Sequence, residues 1–221
     1  MDIHAPHHPV RTWRDFFTHI AIVTIGLFIA LMLEAGLEWL HHRHLLHEAE
    51  SNLAVELSEN RTSLAKDEKH IQESQLMLKK DIQILIAAKN HETIVESRNT
   101  DLQPPQKFRL LFEWSWSGMQ TAAWDTAHGT GALALMPYDH AQSYAVMYGQ
   151  QAIVEEQAAI YIRDIYHSQA PLQGGRHLAD LETADLDAMI AASEQTLVDL
   201  KLLDDLCHSL DNIYRHRDGK V

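Results

Sequence analysis

The sequence contains a single cysteine, Cys207, and far fewer basic than acidic residues. One thiol excludes an intrachain disulfide and a cluster of thiolate metal ligands. The 18 lysines and arginines stand against 31 acidic residues, which gives a formal net charge of −13. Because phosphate neutralisation needs a basic surface, we expect no nucleic-acid partner. The sequence also lacks a nucleotide-binding loop, a nucleophile elbow and internal repeats, so it offers no motif for an enzyme.

An apolar run near the N-terminus predicts a membrane-spanning helix. Residues 20–33 carry no charge, and Trp13 and Trp39 flank them. The two tryptophans are separated by about 39 Å of helix, at roughly 1.5 Å per residue. That distance is close to the thickness of a bilayer between its headgroup regions, where tryptophan is enriched. We therefore expect residues 16–40 to cross a lipid bilayer, the alternative being a buried helix of a soluble domain.

The charges around this run predict its orientation. Arg11 and Arg14 precede it, and only Arg43 follows it closely. The positive-inside rule then makes residues 1–15 a cytoplasmic tail at the bacterial inner membrane and places the rest of the chain in the periplasm. The best candidate cleavage site, after Ala35, has Leu33 where a small residue is needed. We therefore expect an uncleaved anchor.

Two patterns predict contacts between helices. Gly26 and Ala30 form a pair of small residues, four apart, that lets another helix approach closely. Apolar residues then recur every seven positions, whereas the companion heptad position turns polar after Leu53. The recurring residues are Leu57, Leu64, Ile71, Leu78 and Leu85, and the polar companions are Asn60, Asp67 and Ser74. We expect a long amphipathic helix over 41–98 whose narrow apolar stripe packs either within the chain or on a second copy.

The C-terminal half is predicted to be a small helical bundle. Residues 99–117 form a linker, which contains Pro104 and Pro105, and an extended segment with alternating apolar residues. Residues 118–221 form the bundle, which packs on the long helix. Within it, Ser117 and Gln120 predict a capping box for a short helix. A row of alanines at 145, 152 and 159 predicts close helix packing, and a last helix starting at Thr183 is expected to bury Cys207.

The chain resembles a group of uncharacterised bacterial membrane proteins. The resemblance rests on "IVTIGLFIALMLEAGLEWLHHRH", "LAVELSENRTSL" and "AAWDTAHGTGALALMPYDHAQSYAVMYGQQ". It implies one N-terminal transmembrane helix, a long following helix and a helical extracytoplasmic domain. The fold class that we expect is therefore mainly α: a transmembrane helix continuing into a long helix, then a small helical bundle.

Few side chains suggest chemistry. His41, His44, His47 and Glu48 have the helical spacing of imidazole and carboxylate ligands for zinc or copper. Because a complete tetrahedral site needs ligands from a second element, we favour a polar collar at the membrane interface and expect no bound metal or cofactor. Trp114, Trp116 and Trp124 could line a ligand pocket, but aromatic residues at this density more often form a core. Glu155, Glu156, Asp125 and His128 are interpreted as structural, because no nucleophile lies beside them in the sequence.

These patterns predict a non-enzymatic accessory or scaffold protein, anchored in the membrane and acting as an oligomer or as a subunit of a larger membrane complex. Its partners would be the lipid bilayer and either itself or other membrane-complex subunits. The alternative is a periplasmic sensor or ligand- or metal-binding module that signals through a membrane partner. Its cytoplasmic tail of about fifteen residues is too short for a signalling domain. A metal-dependent enzyme is the least favoured interpretation.

Overall fold

The computed structural model describes residues 13–90 and 115–218. Four α-helices follow one another: α1 (Trp13–Lys89), α2 (Ala122–Gly129), α3 (Tyr138–Ser168) and α4 (Thr183–Asp218). Short 3-10 turns lie at Ala132–Leu135, Ala170–Leu172 and Leu178–Asp180. The described residues contain no strand, so the mainly α fold class is confirmed. The predicted linker lies outside the described residues, as does nearly all of the extended segment.

Helix α1 has 77 residues and is uninterrupted, so it is about 115 Å long. Its first part packs against none of the other described residues, and every residue from Trp13 to His41 is exposed. By length and composition, α1 is apolar enough there to cross a membrane, and no part of its most apolar window is buried. The predicted division at residue 40 therefore falls within a single helix and corresponds to a change of surroundings.

The second part of α1 forms a bundle with α3 and α4. The largest sets of contacts between elements join α3 to α4 and α1 to α4. On α4 the buried residues are spaced alternately by three and four, which is the repeat of a coiled-coil seam. They are Leu186, Met189, Ser193, Thr196, Leu200, Leu203, Cys207, Leu210 and Tyr214. The helix begins at Thr183 and buries Cys207, as the sequence predicts.

The apolar stripe of α1 is buried within the chain. Leu57, Leu64, Ile71 and Leu78 belong to one core cluster together with residues of α3 and α4. The stripe was expected to pack either within the chain or on a second copy, and the structure shows it packed within the chain. The companion position was expected to be the weak half of a seam, but Asn60, Asp67 and Ser74 are only 1%, 2% and 1% exposed. Both heptad positions of the seam are therefore buried, and the residues at the companion position are polar.

The alanine row of α3 does not pack as predicted. The alanines at 145, 152 and 159 are all exposed. Larger side chains on the opposite side of the helix take the core positions instead, because they remove more apolar surface from water than alanine does. These are Tyr144, Met147, Tyr148, Val154, Tyr161 and Ile165.

Candidate functional site

A buried polar layer joins α1 and α3 to the segment that leads into α2. On α1 it contains Glu56, Asn60 and Asp67, which are 5%, 1% and 2% exposed. The segment runs along residues 115–121 without regular secondary structure, so its backbone N–H groups have no helical partners. Buried polar groups need such partners, and here side chains of α1 and α3 supply them.

Glu56 caps the N-terminus of α2. Its carboxylate accepts the N–H groups of Ala123 at 2.7 Å and of Trp124 at 3.3 Å. It also accepts a hydrogen bond of 2.6 Å from the Tyr148 hydroxyl. A negative charge at this position is favoured by the dipole of α2. Burial and the neighbouring carboxylate both raise the pKa of Tyr148, so its hydroxyl stays a donor.

The predicted capping box is therefore wrong. Thr121 precedes α2 and makes no side-chain capping bond. The backbone N–H of Ser117 donates to Asp67, and that of Gln120 donates to Asn60. The two residues thus lie in the segment before the helix, where side chains of α1 hold them. Capping comes from a residue 67 positions earlier in the chain, a contact that local sequence spacing cannot reveal.

Asn60 connects all three long helices. Its Nδ2 donates to the carbonyl of Gln120 at 2.8 Å and to Oε1 of Gln151 at 3.1 Å. Its Oδ1 accepts the N–H of Gln120 at 2.7 Å. Gln151 Nε2 donates to the same carbonyl at 3.0 Å, and the Tyr214 hydroxyl of α4 donates to Gln151 Oε1 at 3.1 Å. The polar groups of this network thus satisfy one another inside the bundle. The network therefore fixes how α1, α3 and α4 are aligned at this height of the bundle.

Asp67 and Glu155 hold the start of the segment. Asp67 Oδ1 accepts the Ser117 N–H at 2.9 Å, while its buried Oδ2 has no hydrogen-bond partner among the described residues. Burial raises the pKa of Asp67 more than the hydrogen bonds from Ser117 lower it, and the charge of Glu155 raises it further. Glu155 accepts the Met119 N–H at 2.7 Å and the indole N–H of Trp116 at 3.0 Å. The side chains of the layer thus bind the backbone N–H groups of the segment and hold it in place.

The tryptophans were predicted to form part of a core, and the two that the structure describes do so. Trp116 and Trp124 are partly buried against the main cluster. Trp124 stacks on Tyr148, with ring centroids 4.8 Å apart and planes 18° apart. Trp114 lies outside the described residues. Among the other candidates, Asp125 accepts a hydrogen bond from Thr121 at 2.8 Å.

The histidines at the end of the apolar segment lie on the surface of α1. His41, His44 and His47 are exposed, and His44 Nε2 lies 3.9 Å from a carboxylate oxygen of Glu48. His42 makes a similar contact of 3.9 Å with Glu38. Within residues 13–90 and 115–218, no group of three or more histidine, cysteine or acidic side chains is placed to hold a metal ion. The candidate ligands are therefore not brought together.

Cys207 is fully buried in the main core cluster. Burial raises the pKa of its thiol, and the nearby carboxylates of Glu68, Asp67 and Asp204 raise it further. A thiol with a raised pKa forms little of the reactive thiolate. Cys207 therefore acts as a small core side chain, as the sequence predicts.

An open groove lies between α1 and α2, with a volume of about 440 Å³. Its walls are Leu45, Glu48, Ala49, Asn52, Val55, Glu56, Glu59, Gln120, Ala122, Ala123, Thr126, Ala127 and Thr130. Sequence reasoning missed this groove, because it depends on the short helix lying along α1. The position of that helix is set by the hydrogen bonds that the buried polar layer makes to its start and to the segment before it.

No family model, curated protein or solved structure matches this chain. The resemblance to bacterial single-pass membrane proteins therefore stays a prediction. Gly26 and Ala30, the small pair, lie in the exposed part of α1. A Cβ atom added at Gly26 would meet nothing within 4 Å, so the described part of the chain places no neighbour there.

Proposed function

We propose that this chain is a non-enzymatic accessory or scaffold protein of the bacterial inner membrane. Helix α1 anchors it, the bundle lies in the periplasm, and the protein acts as an oligomer or as a subunit of a larger membrane complex. The observation that carries this proposal is the continuity of α1, which runs unbroken from an uncovered apolar stretch into the bundle core. Such a helix holds the bundle at a fixed height above the bilayer.

The contacts of Glu56 and Glu155 support a structural role for the bundle. Glu56 and Glu155 direct both carboxylate oxygens to backbone, phenol or indole donors. A general acid or base needs an oxygen within hydrogen-bonding reach of a substrate proton. These two carboxylates are instead occupied in positioning α2 and the segment before it.

A mass measurement tests the assembly. The full chain, purified in a mild neutral detergent, is analysed by native mass spectrometry for both oligomeric state and bound cofactors. We expect a multiple of 25.2 kDa, or co-purified subunits from the native host, without a stoichiometric metal or cofactor. A monomer that carries a stoichiometric metal would contradict the proposal and favour a metal-dependent enzyme.

A fusion experiment tests the orientation. Arg11 and Arg14 on one side of the apolar run favour a cytoplasmic N-terminus. Alkaline phosphatase fused to the C-terminus should be active in a bacterial host, because the enzyme works only in the periplasm. A fluorescent cytoplasmic reporter at the same site should stay dark. The reverse pair of results would invert the topology.

The second candidate function is a periplasmic sensor or ligand-binding module. The groove between α1 and α2 favours it, because its volume of about 440 Å³ is in the range of small-ligand sites. A sensor of this size must transmit through a membrane partner. The same mass measurement separates the candidates, since a sensor retains a small organic ligand and a scaffold retains subunits.

A further inference from the structure

The α1–α2 groove begins close to the end of the apolar stretch. Its first lining residue, Leu45, lies five residues beyond Leu40, which is about 8 Å along the helix. Four α1 residues follow one another along its wall at intervals of four, three and four. They are Glu48, Asn52, Val55 and Glu59. The two glutamates therefore lie on one face of α1, about 16 Å apart along its axis.

The opposite wall is made of small side chains. Ala122, Ala123 and Ala127 leave room for a close approach of another helix. The hydroxyl of Thr126 donates to the carbonyl of Ala122 at 2.7 Å, and that of Thr130 donates to the carbonyl of Thr126 at 2.8 Å. Since these donors are already used within α2, the wall offers an arriving group mainly alanine and threonine methyl groups.

The charge of the groove has one sign. Among the described residues, its lining includes three glutamates and no lysine, arginine or histidine. Glu56 is already bonded to the start of α2, and Glu48 has only a contact of 3.9 Å with His44. Glu59 is exposed and has no hydrogen bond or ion pair to the described residues. The described lining of the groove therefore favours a cation at each end and disfavours a phosphate, for which it supplies no basic side chain.

From this complementarity we infer that the α1–α2 groove receives a basic amphipathic helix of a membrane-embedded partner subunit. A helix with basic residues eleven positions apart presents both on one face, at the separation of Glu48 and Glu59. Small and apolar residues between them would pack on the alanine wall, which is the helix-in-groove mode of recognition. The inference rests on the proposed role as a complex subunit and names the chemistry of the partner.

Peptide binding to the full chain in neutral maltoside micelles tests this inference. The probe is a dye-labelled helical peptide with two lysines eleven residues apart and alanine and leucine between them, followed by fluorescence anisotropy. We expect saturable binding that weakens with salt. Glu48→Gln combined with Glu59→Gln should weaken it roughly tenfold or more. Ala122→Trp, which fills the groove from an exposed position, should abolish it.

Two controls keep the result specific. Glu194→Gln, an exposed site on α4 away from the groove, should bind the peptide as the unmodified protein does. A peptide with glutamates in place of the two lysines should not bind. Circular dichroism of each variant checks that the bundle stays folded, so that lost binding reports on the groove.

Three results would overturn the inference. They are no saturable binding of the lysine peptide, equal binding of the glutamate peptide, or binding that the paired glutamine variant leaves unchanged. Saturable binding of dodecyltrimethylammonium without peptide binding would replace the partner helix with a small cationic ligand. None of these outcomes alters the mass or topology measurements, so failure of the groove and failure of the scaffold role are distinguishable.

Discussion

The two parts of α1 share one backbone but differ in their surroundings. From Trp13 to His41 every side chain is exposed, and within this part residues 20–33 carry no charge on any side of the helix. From Ala49 to Leu85 the buried residues recur mostly every third or fourth position, and most of the residues between them are polar or charged. A helix that is apolar all round needs lipid or a complete protein shell, whereas a striped helix needs a partner along one side. The pattern thus identifies the environment, and the helix itself does not change.

The largest effect is expected from charges in the stripe. Leu64→Asp combined with Ile71→Asp should unfold the bundle. The burial of each apolar side chain is worth about 1.5–3 kcal/mol, and burying a charge in its place costs more. Total stability for such a domain is about 5–15 kcal/mol. Circular dichroism and limited proteolysis measure the loss.

The matched control is Leu76→Asp on the same helix. Leu76 is 62% exposed, so the change should alter stability by only about 0.5 kcal/mol. A double variant that stays folded but loses its oligomer would instead show that the stripe packs between chains. A folded and still associated double variant would contradict the core described here.

A smaller effect is expected from the cap of α2. Glu56→Ala leaves two backbone N–H groups and the Tyr148 hydroxyl without their acceptor. We expect a loss of about 2–4 kcal/mol, since an unsatisfied buried group costs about 1–3 kcal/mol. Hydrogen exchange at the Ala123 and Trp124 amides should speed up. Glu59→Ala, almost one turn away and exposed, is the control and should leave both amides protected.

A still smaller effect, of opposite sign, is expected at Asp67. Because burial raises its pKa above the unfolded value, the folded state binds this proton more tightly. Stability from Asp67 is therefore fully present below the unfolded pKa and is lost as the pH rises through the raised folded pKa. Asp67→Asn should be more stable than the unmodified protein at pH 7, and the advantage should shrink on acidification. Urea unfolding at several pH values measures this, and a variant less stable at pH 7 would contradict it.

The smallest effect is expected from removing the uncovered part of α1. A chain that starts at residue 42 keeps every buried residue of the bundle. It should be water-soluble, and its free energy of unfolding should match that of the full bundle within about 0.5 kcal/mol. Chemical denaturation followed by circular dichroism compares the two. A large loss of stability would show that the two parts of α1 depend on one another.

Much of the fold follows from local patterns. The apolar run, the heptad leucines and the start of α4 at Thr183 follow from near neighbours in the chain. The polar half of the seam was not predictable in that way. Asn60 and Asp67 interrupt a coiled-coil pattern, and only their contacts with Gln120 and Ser117, 60 and 50 residues later, explain their burial.

The site was less predictable than the fold for the same reason. In the sequence, Glu56 has the pattern of an exposed acid on an amphipathic helix. Its burial depends on α2, which lies against it. The exposed alanines of α3 show the opposite error, because small size permits close packing without requiring it. The histidines were singled out by their spacing along one helix, and no second element supplies them with further ligands in the described part of the chain.

Labelling of introduced cysteines in spheroplasts tests most directly the proposal that α1 passes from lipid into a bundle in the periplasm. Cys207 is fully buried, so the unmodified protein should react little with a membrane-impermeant maleimide. Leu76→Cys lies on the outer face of the bundle, and Met32→Cys lies in the uncovered apolar stretch. We predict rapid labelling at 76 in intact spheroplasts and none at 32 until detergent and denaturant are added. Equal labelling at both positions, or labelling at 76 only after lysis, would contradict a membrane-anchored periplasmic bundle.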